Sequence, residues 1–333
     1  MVDDVTADLP PPDVLQTPAY VALLLAELAP ERPTTIVDVG ANPINEAPYS
    51  GLLHAGACHV IGFEPQAEAY AALQTSKTAA ETYYPFAVGT GAAQTLRLYK
   101  NSGMTSVFDP YKPGLRMIGH QGWGKISDRI EFDTVALDQA TDLPDFDLMK
   151  IDIQGAEVQV FQGAEKVMQS CVAVIVELRY LQIYKGEPML GGVDTELRRQ
   201  GFGLHKFMFN KSKMLIHSQA ARVKTRRMLD QLLDGDAIYL RNIAEPDKLS
   251  VEQLKHMAVL AASVFDSHSL ALYCLDALAA RGDDLGASDQ HGLRQSLVHH
   301  HLHRPQHALL LALGVGHALT GAPLGGGIDR LHG

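Results

Sequence analysis

The sequence has no excess of basic residues. Its 28 Lys and Arg are outnumbered by 38 Asp and Glu, which gives a formal net charge of −10. Because proteins bind DNA, RNA and anionic membranes through Lys and Arg that displace counterions, this balance argues against such partners. We therefore expect no nucleic-acid partner and no membrane partner. The one basic run, Lys224 to Arg227, is typical of a solvated surface or loop.

Cysteine is also scarce, and long apolar runs are absent. Cys58, Cys171 and Cys274 are far apart and form no CxxC pair, so the sequence predicts buried, reduced thiols rather than disulfides. The longest apolar run, at 308–316, is far shorter than the ~20 residues of a membrane span. The acidic, proline-rich start lacks the features of a signal peptide. We expect a cytoplasmic protein.

The turn after the first apolar run lacks the glycines of a dinucleotide-binding fingerprint. The segment VDVGANPINEAPYSG covers 37–51, and Gly40 would give its tight turn. Asn42 and Asn45 stand where the second and third glycines of the fingerprint would be. A pyrophosphate needs closely approaching glycines and exposed N–H groups. The segment therefore argues against a dinucleotide cofactor.

Short apolar runs alternate with helical stretches from Thr34 onward. The runs cover 34–40, 58–64, 82–88, 146–152, 172–178, 203–209 and 236–241. Their Val- and Ile-rich composition is typical of strands that are buried on both faces of a parallel sheet. The helical stretches between them predict βαβ units and a doubly wound α/β fold. Two further extended segments are predicted at 95–100 and 129–138.

Helical patterns flank this alternating region. One covers 13–29, and Ser250 with Gln253 forms a capping box before a pair of helices that ends at Gly282. We predict three parts: an N-terminal lead and helix (1–33), a catalytic domain (34–244), and a helical appendage with a His-rich tail (245–333). The helical pair could equally be a homodimer interface, a lid or a packed appendage. The His-rich run at 299–307 has no acidic or Cys partners at ligand spacing, so we predict no metal site.

Acidic residues follow several of the predicted strands. They are Asp38, Glu64, Asp152 and Glu177. Ligands of open α/β sheets bind beyond the carboxyl ends of the strands, where carboxylates would repel a pyrophosphate. They would attract a nucleoside that carries an ammonium and a sulfonium group, and S-adenosylmethionine is such a nucleoside. Glu64 would accept hydrogen bonds from its ribose, and the segment from Phe86 through Ala87 to Val88 would flank its adenine.

The sequence resembles the FkbM-type methyltransferases in several segments that occur in the same order. These are VDVGAN (37–42), GFEPQAEAYAAL (62–73), FAVG (86–89), VALD (135–138), LMKIDIQGAEVQVFQGA (148–164) and VIVEL (174–178). The resemblance implies a seven-stranded Rossmann-like sheet, mostly parallel, and an S-adenosylmethionine cofactor. It also implies methyl transfer, usually to a hydroxyl of a sugar or natural product. By position, Asp38, Gly40, Ala41 and Asn42 would border the methionine part, and Glu64 with Pro65 the ribose.

Candidate bases for a hydroxyl acceptor follow from position and residue type. Asp152 is the first candidate, although an equal alternative is that it binds the cofactor's amine or caps the next helix. His205 is a second-line candidate, as is His120. Glu157 should favour the N-terminus of its helix. We expect the long segment 101–128 to set acceptor specificity.

Three departures from the family pattern keep other functions open. Ile44 replaces a usual glycine, about three extra residues occur around Asn45–Pro48, and Gln154 replaces a usual acid. We predict that the extra residues help to shape the acceptor entrance. One alternative function is a non-catalytic cofactor-binding module with the same fold. Another is a nucleotide-dependent oxidoreductase, which the missing glycines disfavour.

Overall fold

The computed structural model describes residues 19–44, 46–282 and 294–295. Its helices and strands follow in chain order as α1 (Ala19–Leu28), β1 (Thr34–Val39), α2 (Ser50–His54), β2 (Cys58–Phe63), α3 (Ala67–Ser76), β3 (Glu81–Tyr84), β4 (Ala87–Val88), β5 (Ala93–Tyr99), α4 (Lys112–Met117), β6 (Ile126–Val135), β7 (Leu148–Ile151), α5 (Glu157–Gln162), β8 (Ala173–Arg179), α6 (Leu190–Arg199), β9 (Phe202–Lys213), β10 (Gln231–Arg241), α7 (Val251–Ser263) and α8 (His268–Ala280). Each of the predicted apolar runs contributes to a strand.

Seven strands form the main sheet, in the order β3-β2-β1-β7-β8-β10-β9. The pairs from β3 to β8 are parallel, whereas β10 is antiparallel to both β8 and β9. The predicted doubly wound, mostly parallel, seven-stranded sheet is thus confirmed. The order of the connections reverses between β1 and β7. The carboxyl ends of these two strands therefore border the crevice in which ligands of such sheets bind.

The third predicted run is divided between two sheets. Its first part forms β3 of the main sheet, and its last part forms β4 of a three-stranded sheet in the order β4-β6-β5. Pro85 lies between β3 and β4, and proline lacks the N–H group that would continue the ladder. The two extended segments predicted after this run overlap β5 and β6, which pair antiparallel, although residues 136–138 lie beyond the end of β6.

Apolar side chains cover both faces of the main sheet. Ile36 and Leu148 belong to one cluster, together with residues of α1, α2, α7 and α8. Val37 and Met149, their neighbours in sequence, belong to the cluster on the other face, with residues of α5 and α6. Consecutive strand residues are therefore both buried, which explains why the runs lack an alternation of polar and apolar residues.

The flanking helices pack onto this core. Gln253 N donates to Ser250 Oγ at 3.0 Å and Ser250 N donates to Gln253 Oε1 at 2.9 Å, so the predicted capping box starts α7. α8 ends just before Gly282, which has a φ of +73°. A homodimer contact through the outer surfaces of these helices stays a prediction, as does the division at residues 33 and 244. The His-rich run at 299–307 lies outside the described residues.

The three cysteines are buried and reduced, as the sequence predicts. Cys58, Cys171 and Cys274 are free and buried, and burial raises the pKa of each thiol to about 12. The thiols are therefore protonated and unreactive at neutral pH. Among the described helices, none combines the length and apolar character that crossing a membrane requires.

Candidate active site

The turn after β1 brings the backbones of three neighbouring strands together. Gly40 N and Ala41 N both donate to Phe63 O, at 3.0 and 3.2 Å. Gly40 has a φ of +80°, and a Cβ at this position would lie 2.4 Å from Asp152 O. The position requires glycine because a side chain would be strained and would collide with the turn after β7.

Asp38 lies beneath this turn and is buried. Its Oδ2 accepts a hydrogen bond from Tyr49 Oη at 2.5 Å, and its Oδ1 lies 3.3 Å from Lys150 Nζ. Burial raises the pKa of Tyr49 well above its ordinary value, and Asp38 adds to this effect, so the phenol stays protonated and donates. Burial alone would lower the pKa of Lys150, but the carboxylates of Asp38 and Asp152 outweigh it and raise that pKa. Asp38 therefore holds the turn through protein contacts.

The residues that follow the turn run toward the surface. Ala41 is buried and Asn42 is half-buried, whereas the Ile44 side chain is 65% exposed. Asn45 lies outside the described residues. Because the segment directly follows the carboxyl end of β1, it lies beside the crevice. Its part in shaping an acceptor entrance stays a prediction.

Glu64 follows the carboxyl end of β2 and is only 2% exposed. Its Oε1 accepts a hydrogen bond from Gln66 N at 2.8 Å, the one hydrogen bond of this carboxylate within the described part of the chain. Burial raises the pKa of Glu64, the Gln66 N–H lowers it, and Asp38 and Lys150 act in opposite directions. The backbone thus fixes one oxygen and leaves Oε2 to accept from a ligand hydroxyl. Pro65, which comes next, is exposed.

Three aromatic rings extend outward from the end of β2. The rings of Phe63 and Tyr84 are stacked with centroids 5.6 Å apart, and those of Tyr84 and Phe86 are stacked at 6.1 Å. Phe86 is 47% exposed, whereas Val88 is buried in β4 and Ala87 is half-buried. An exposed ring at this edge offers a face to a flat heteroaromatic ligand. The predicted adenine-binding residue Phe86 therefore lies at the same sheet edge as the β2 carboxylate.

The turn after β7 contains a hydrogen-bond network centred on Gln154. Its Nε2 donates to Asp152 Oδ1 at 2.9 Å and to Glu177 Oε2 at 2.8 Å. Its Oε1 accepts from Arg179 Nη2 at 3.1 Å and from Tyr184 Oη at 3.3 Å. An amide both donates and accepts, whereas a glutamate here would add a third carboxylate beside two others. Gln154 thus joins Asp152 to the buried groups behind it.

Arg179 is the shared ion-pair partner of three carboxylates in this buried region. It forms ion pairs with the carboxylates of Glu177 (3.0 Å), Asp234 (2.8 Å) and Glu187 (3.4 Å). Burial acts to lower the pKa of Arg179, but these carboxylates outweigh it and raise that pKa. Burial raises the pKa of Glu177 well above its usual range, and Asp152 adds to the rise. Burial also raises the pKa of the nearby Asp236, to about 6.

The long segment between β5 and β6 lies against this network. Ser106 Oγ donates to Gln154 O at 2.7 Å. A Cβ built at Gly155 would come within 3.2 Å of the Phe108 ring. The segment 101–128, which the sequence links to acceptor specificity, therefore covers the turn that carries Asp152.

A family comparison covers most of this site. Residues 38–204 match the methyltransferase FkbM domain, from Asp38 in β1 to beyond Arg179 at the end of β8, whereas Asp234 and Asp236 lie outside the match. The chain belongs to the FkbM methyltransferase family.

Two solved methyltransferase structures are similar to this FkbM family member. Methyltransferase FkbM from Methylobacillus flagellatus KT is 16% identical, with a TM-score of 0.35, over 62% of this chain and 43% of that chain. The precorrin-6y C5,15-methyltransferase from Geobacter metallireducens GS-15 is 11% identical, with a TM-score of 0.30, over 66% of this chain and 86% of that chain. The chain thus spans less than half of the Methylobacillus protein. None of the curated proteins matches the chain.

In this FkbM family member the predicted second-line bases have contacts outside the Gln154 network. His205 lies on the edge strand β9, with Nε2 2.7 Å from Ser267 Oγ, and burial lowers its pKa, as does Lys206. β10 and β8 separate β9 from β7, so the structure does not bring His205 together with Asp152. The His120 ring stacks on Trp123 at 4.0 Å. A catalytic role for His205 stays a prediction.

Glu157 begins α5 in this FkbM family member, as predicted, and is buried. Its Oε1 accepts from Ile153 N and from Gly155 N, each at 3.1 Å. Burial raises the pKa of Glu157 to about 7, against the lowering effect of these N–H groups. Its carboxyl therefore binds a proton more tightly in the folded state than in the unfolded state.

We expect Glu157→Gln to remove part of the pH dependence of stability. Because the Glu157 pKa rises from 4.5 to about 7 on folding, the wild type should lose stability relative to the variant as the pH rises through this window. The slope is at most about 1.4 kcal/mol per pH unit. Urea unfolding of both proteins between pH 4 and 8 measures it. Glu68→Gln changes an exposed carboxylate and is the control; parallel pH profiles for wild type and Glu157→Gln would contradict the expectation.

Proposed function

We propose that the protein is an S-adenosylmethionine-dependent methyltransferase that methylates a hydroxyl oxygen of a sugar, a glycan or another small molecule. The observation that carries the proposal is the position of Glu64 and Asp152 on either side of the Gly40 turn. This crevice presents carboxylates and lacks a glycine-rich phosphate loop. Carboxylates attract a cofactor that carries ammonium and sulfonium groups, and they disfavour a pyrophosphate.

The residues of the crevice fit this cofactor. Oε2 of Glu64 remains for ribose hydroxyls, and the exposed Phe86 ring is available to an adenine. At Gly40 the backbone approaches Asp152 O so closely that a side chain would collide with it, so the turns after β1 and β7 are in direct contact beside the crevice. The cofactor contacts would come from Asp38, Gly40, Ala41, Asn42, Glu64, Pro65, Phe86, Ala87 and Val88.

The chemistry requires positioning and one proton acceptor. When bound, S-adenosylmethionine supplies a methyl group that is activated for in-line displacement at carbon. Holding the acceptor oxygen in line supplies much of the rate. Asp152 accepts the proton of the acceptor hydroxyl, and the Gln154 amide orients this carboxylate by donating to its Oδ1.

A second candidate function is a cofactor-binding module without methyltransferase activity. The replacement of the family's usual acid by Gln154 favours it. Methyl transfer from S-adenosylmethionine to a panel of neutral and acidic oligosaccharides separates the two candidates. Release of S-adenosylhomocysteine that depends on the acceptor supports the enzyme. Tight cofactor binding without release on any acceptor supports the module.

We expect Glu64→Ala to weaken S-adenosylhomocysteine binding by about 10- to 100-fold. Loss of hydrogen bonds from ribose hydroxyls to a charged group costs roughly 1.5–3 kcal/mol. Calorimetric titration measures the affinity. Glu68→Ala removes an exposed carboxylate in the first turn of α3 and should bind like the wild type.

The same titration decides the choice of cofactor. The wild type should bind S-adenosylmethionine and S-adenosylhomocysteine but not NAD. Heat from NAD, with none from either sulfur nucleoside, would refute the proposed function and support an oxidoreductase.

A further inference from the structure

The strand β9 and the segment after it form a basic stretch in an acidic protein. Residues 203–229 contain no Asp or Glu, although the net charge of the whole chain is −10. The basic side chains of this stretch are those of Lys206, Lys211, Lys213, Arg222, Lys224, Arg226 and Arg227. Lys206 is directed inward, because its Nζ donates to Phe265 O at 2.6 Å. We call the others, from Lys211 to Arg227, the basic track.

The basic track begins at the rim of the proposed active site. Lys211 Nζ lies 3.3 Å from Asp234 Oδ1, and Asp234 is also an ion-pair partner of Arg179. Lys213 Nζ lies 5.0 Å from the ring centroid of Trp123, in the segment that covers the Asp152 turn. The inner end of the track therefore lies between the active-site carboxylates and the 101–128 segment.

The outer part of the basic track lies in the segment that connects β9 to β10. β9 ends and β10 begins at the carboxyl edge of the sheet, because Asp234 pairs with Arg179 at the end of β8. Arg222, Lys224, Arg226 and Arg227 are exposed in the connecting segment. In the part of the chain that the structure describes, none of these four side chains forms an ion pair with a carboxylate. Their charges are therefore available to an anionic ligand.

Exposed aromatic rings lie on the same strand as the inner end of the track. Phe207 and Phe209 are 39% and 38% exposed, and Lys211 Nζ lies 5.4 Å from the Phe209 ring centroid. Flat apolar rings beside ammonium groups suit a ligand that combines ring faces with negative charges.

We propose that the methyl acceptor is an extended anionic glycan. Its carboxylate, phosphate or sulfate groups lie along the basic track, while one of its hydroxyls reaches Asp152. The track carries six cationic side chains between Lys211 and Arg227, so it offers partners for repeated charges on a chain rather than for the one charge of a compact molecule. This inference rests on the proposed function, since the hydroxyl is the methylated group.

The test compares two oligosaccharides that differ only in charge. An oligogalacturonate and its fully methyl-esterified form are titrated against the full chain at low salt. We expect the acid to bind and the neutral ester to bind at least about 10-fold more weakly. Replacing Lys224, Arg226 and Arg227 together with alanine should weaken binding of the acid by about 10-fold or more. The control replaces Lys77, Lys166 and Lys248, which are exposed and lie outside the track, and should bind like the wild type; of the three, Lys248 forms an ion pair with Glu245.

Several outcomes would overturn the inference. Equal affinities for the oligogalacturonate and its methyl ester would show that the track does not select charge. An equal loss of affinity for the oligogalacturonate in the two triple variants would show the same. Tighter binding of a single-stranded oligonucleotide of equal charge would indicate a nucleic acid instead. Binding to phosphatidylglycerol vesicles without binding to the oligosaccharide would indicate a lipid surface, contacted by the exposed Leu215 and Ile216. Titration with S-adenosylhomocysteine tests the proposed function separately, because the track variant should retain wild-type cofactor affinity.

Discussion

Asp152→Asn should lower the kcat of methyl transfer by about 10²- to 10⁴-fold, which is the usual contribution of a general base. An amide has the same shape as the carboxylate but cannot accept a proton. The variant keeps an oxygen that can accept the hydrogen bond from Gln154 Nε2, so the turn after β7 should retain its conformation. Binding of S-adenosylhomocysteine should therefore change by less than about threefold. Turnover with an acceptor identified in the oligosaccharide panel, together with calorimetry, measures both quantities.

Asp236→Asn is the informative control for this prediction. Asp236 also lies near the crevice, and its pKa of about 6 would suit a base at neutral pH. If Asp236→Asn lowers kcat by about 10²- to 10⁴-fold and Asp152→Asn leaves kcat unchanged, Asp236 is the base. If Asp152→Asn instead abolishes cofactor binding, Asp152 binds the cofactor's amine. The sequence left this role open as an alternative to that of the base.

The main sheet was predictable because its runs are buried on both faces. Val37 and Ile36 are adjacent in sequence and belong to cores on opposite faces, so the run has no polar alternation. The same feature concealed the break between β3 and β4. Residues 82–88 form one apolar run in the sequence. Within it, only Pro85 indicates that the chain leaves the main sheet and enters the three-stranded sheet. The partner strand of β4 is β6, and a pairing so distant in sequence leaves no local signal.

The positions of the site residues were predictable, but their partners were not. A doubly wound fold places the residues after β1, β2 and β7 at one edge, so Asp38, Glu64 and Asp152 could be grouped from sequence alone. Tyr49, which donates a hydrogen bond to Asp38, follows the irregular segment after the first turn. No sequence motif marks this tyrosine, so its contact with Asp38 could not be predicted.

The ion pairs of Arg179 were likewise not predictable from the sequence. Arg179 and Asp234 are 55 positions apart, and they meet only because β10 enters the sheet antiparallel to β8. Arg179 does follow Glu177 by the period of a strand, so both side chains point to one face. That spacing was the one signal from which a buried ion pair could have been predicted.

Gly40→Ala should lower the free energy of unfolding by at least about 2 kcal/mol and abolish measurable cofactor binding. A left-handed conformation costs a residue with a Cβ roughly 1–2 kcal/mol. In addition, the new Cβ would lie 2.4 Å from Asp152 O, so the turns after β1 and β7 must separate. This separation would move Asp152 relative to Glu64. Because both residues flank the proposed cofactor site, we expect the variant to lose cofactor binding together with stability. Urea unfolding and calorimetric titration measure the two effects.

Gly51→Ala provides a control with the opposite expected sign. Gly51 lies in α2, and a Cβ built there has nothing within 4 Å. Alanine in place of glycine within a helix should stabilise the protein by about 0.5–1 kcal/mol and leave cofactor binding unchanged. If the two variants were equally stable and both bound S-adenosylhomocysteine, the contact between the two turns would not organise the crevice. If only Gly40→Ala lost stability and binding of S-adenosylhomocysteine, Gly40 would be required for the close contact between the turns after β1 and β7. It would not be required for binding a phosphate.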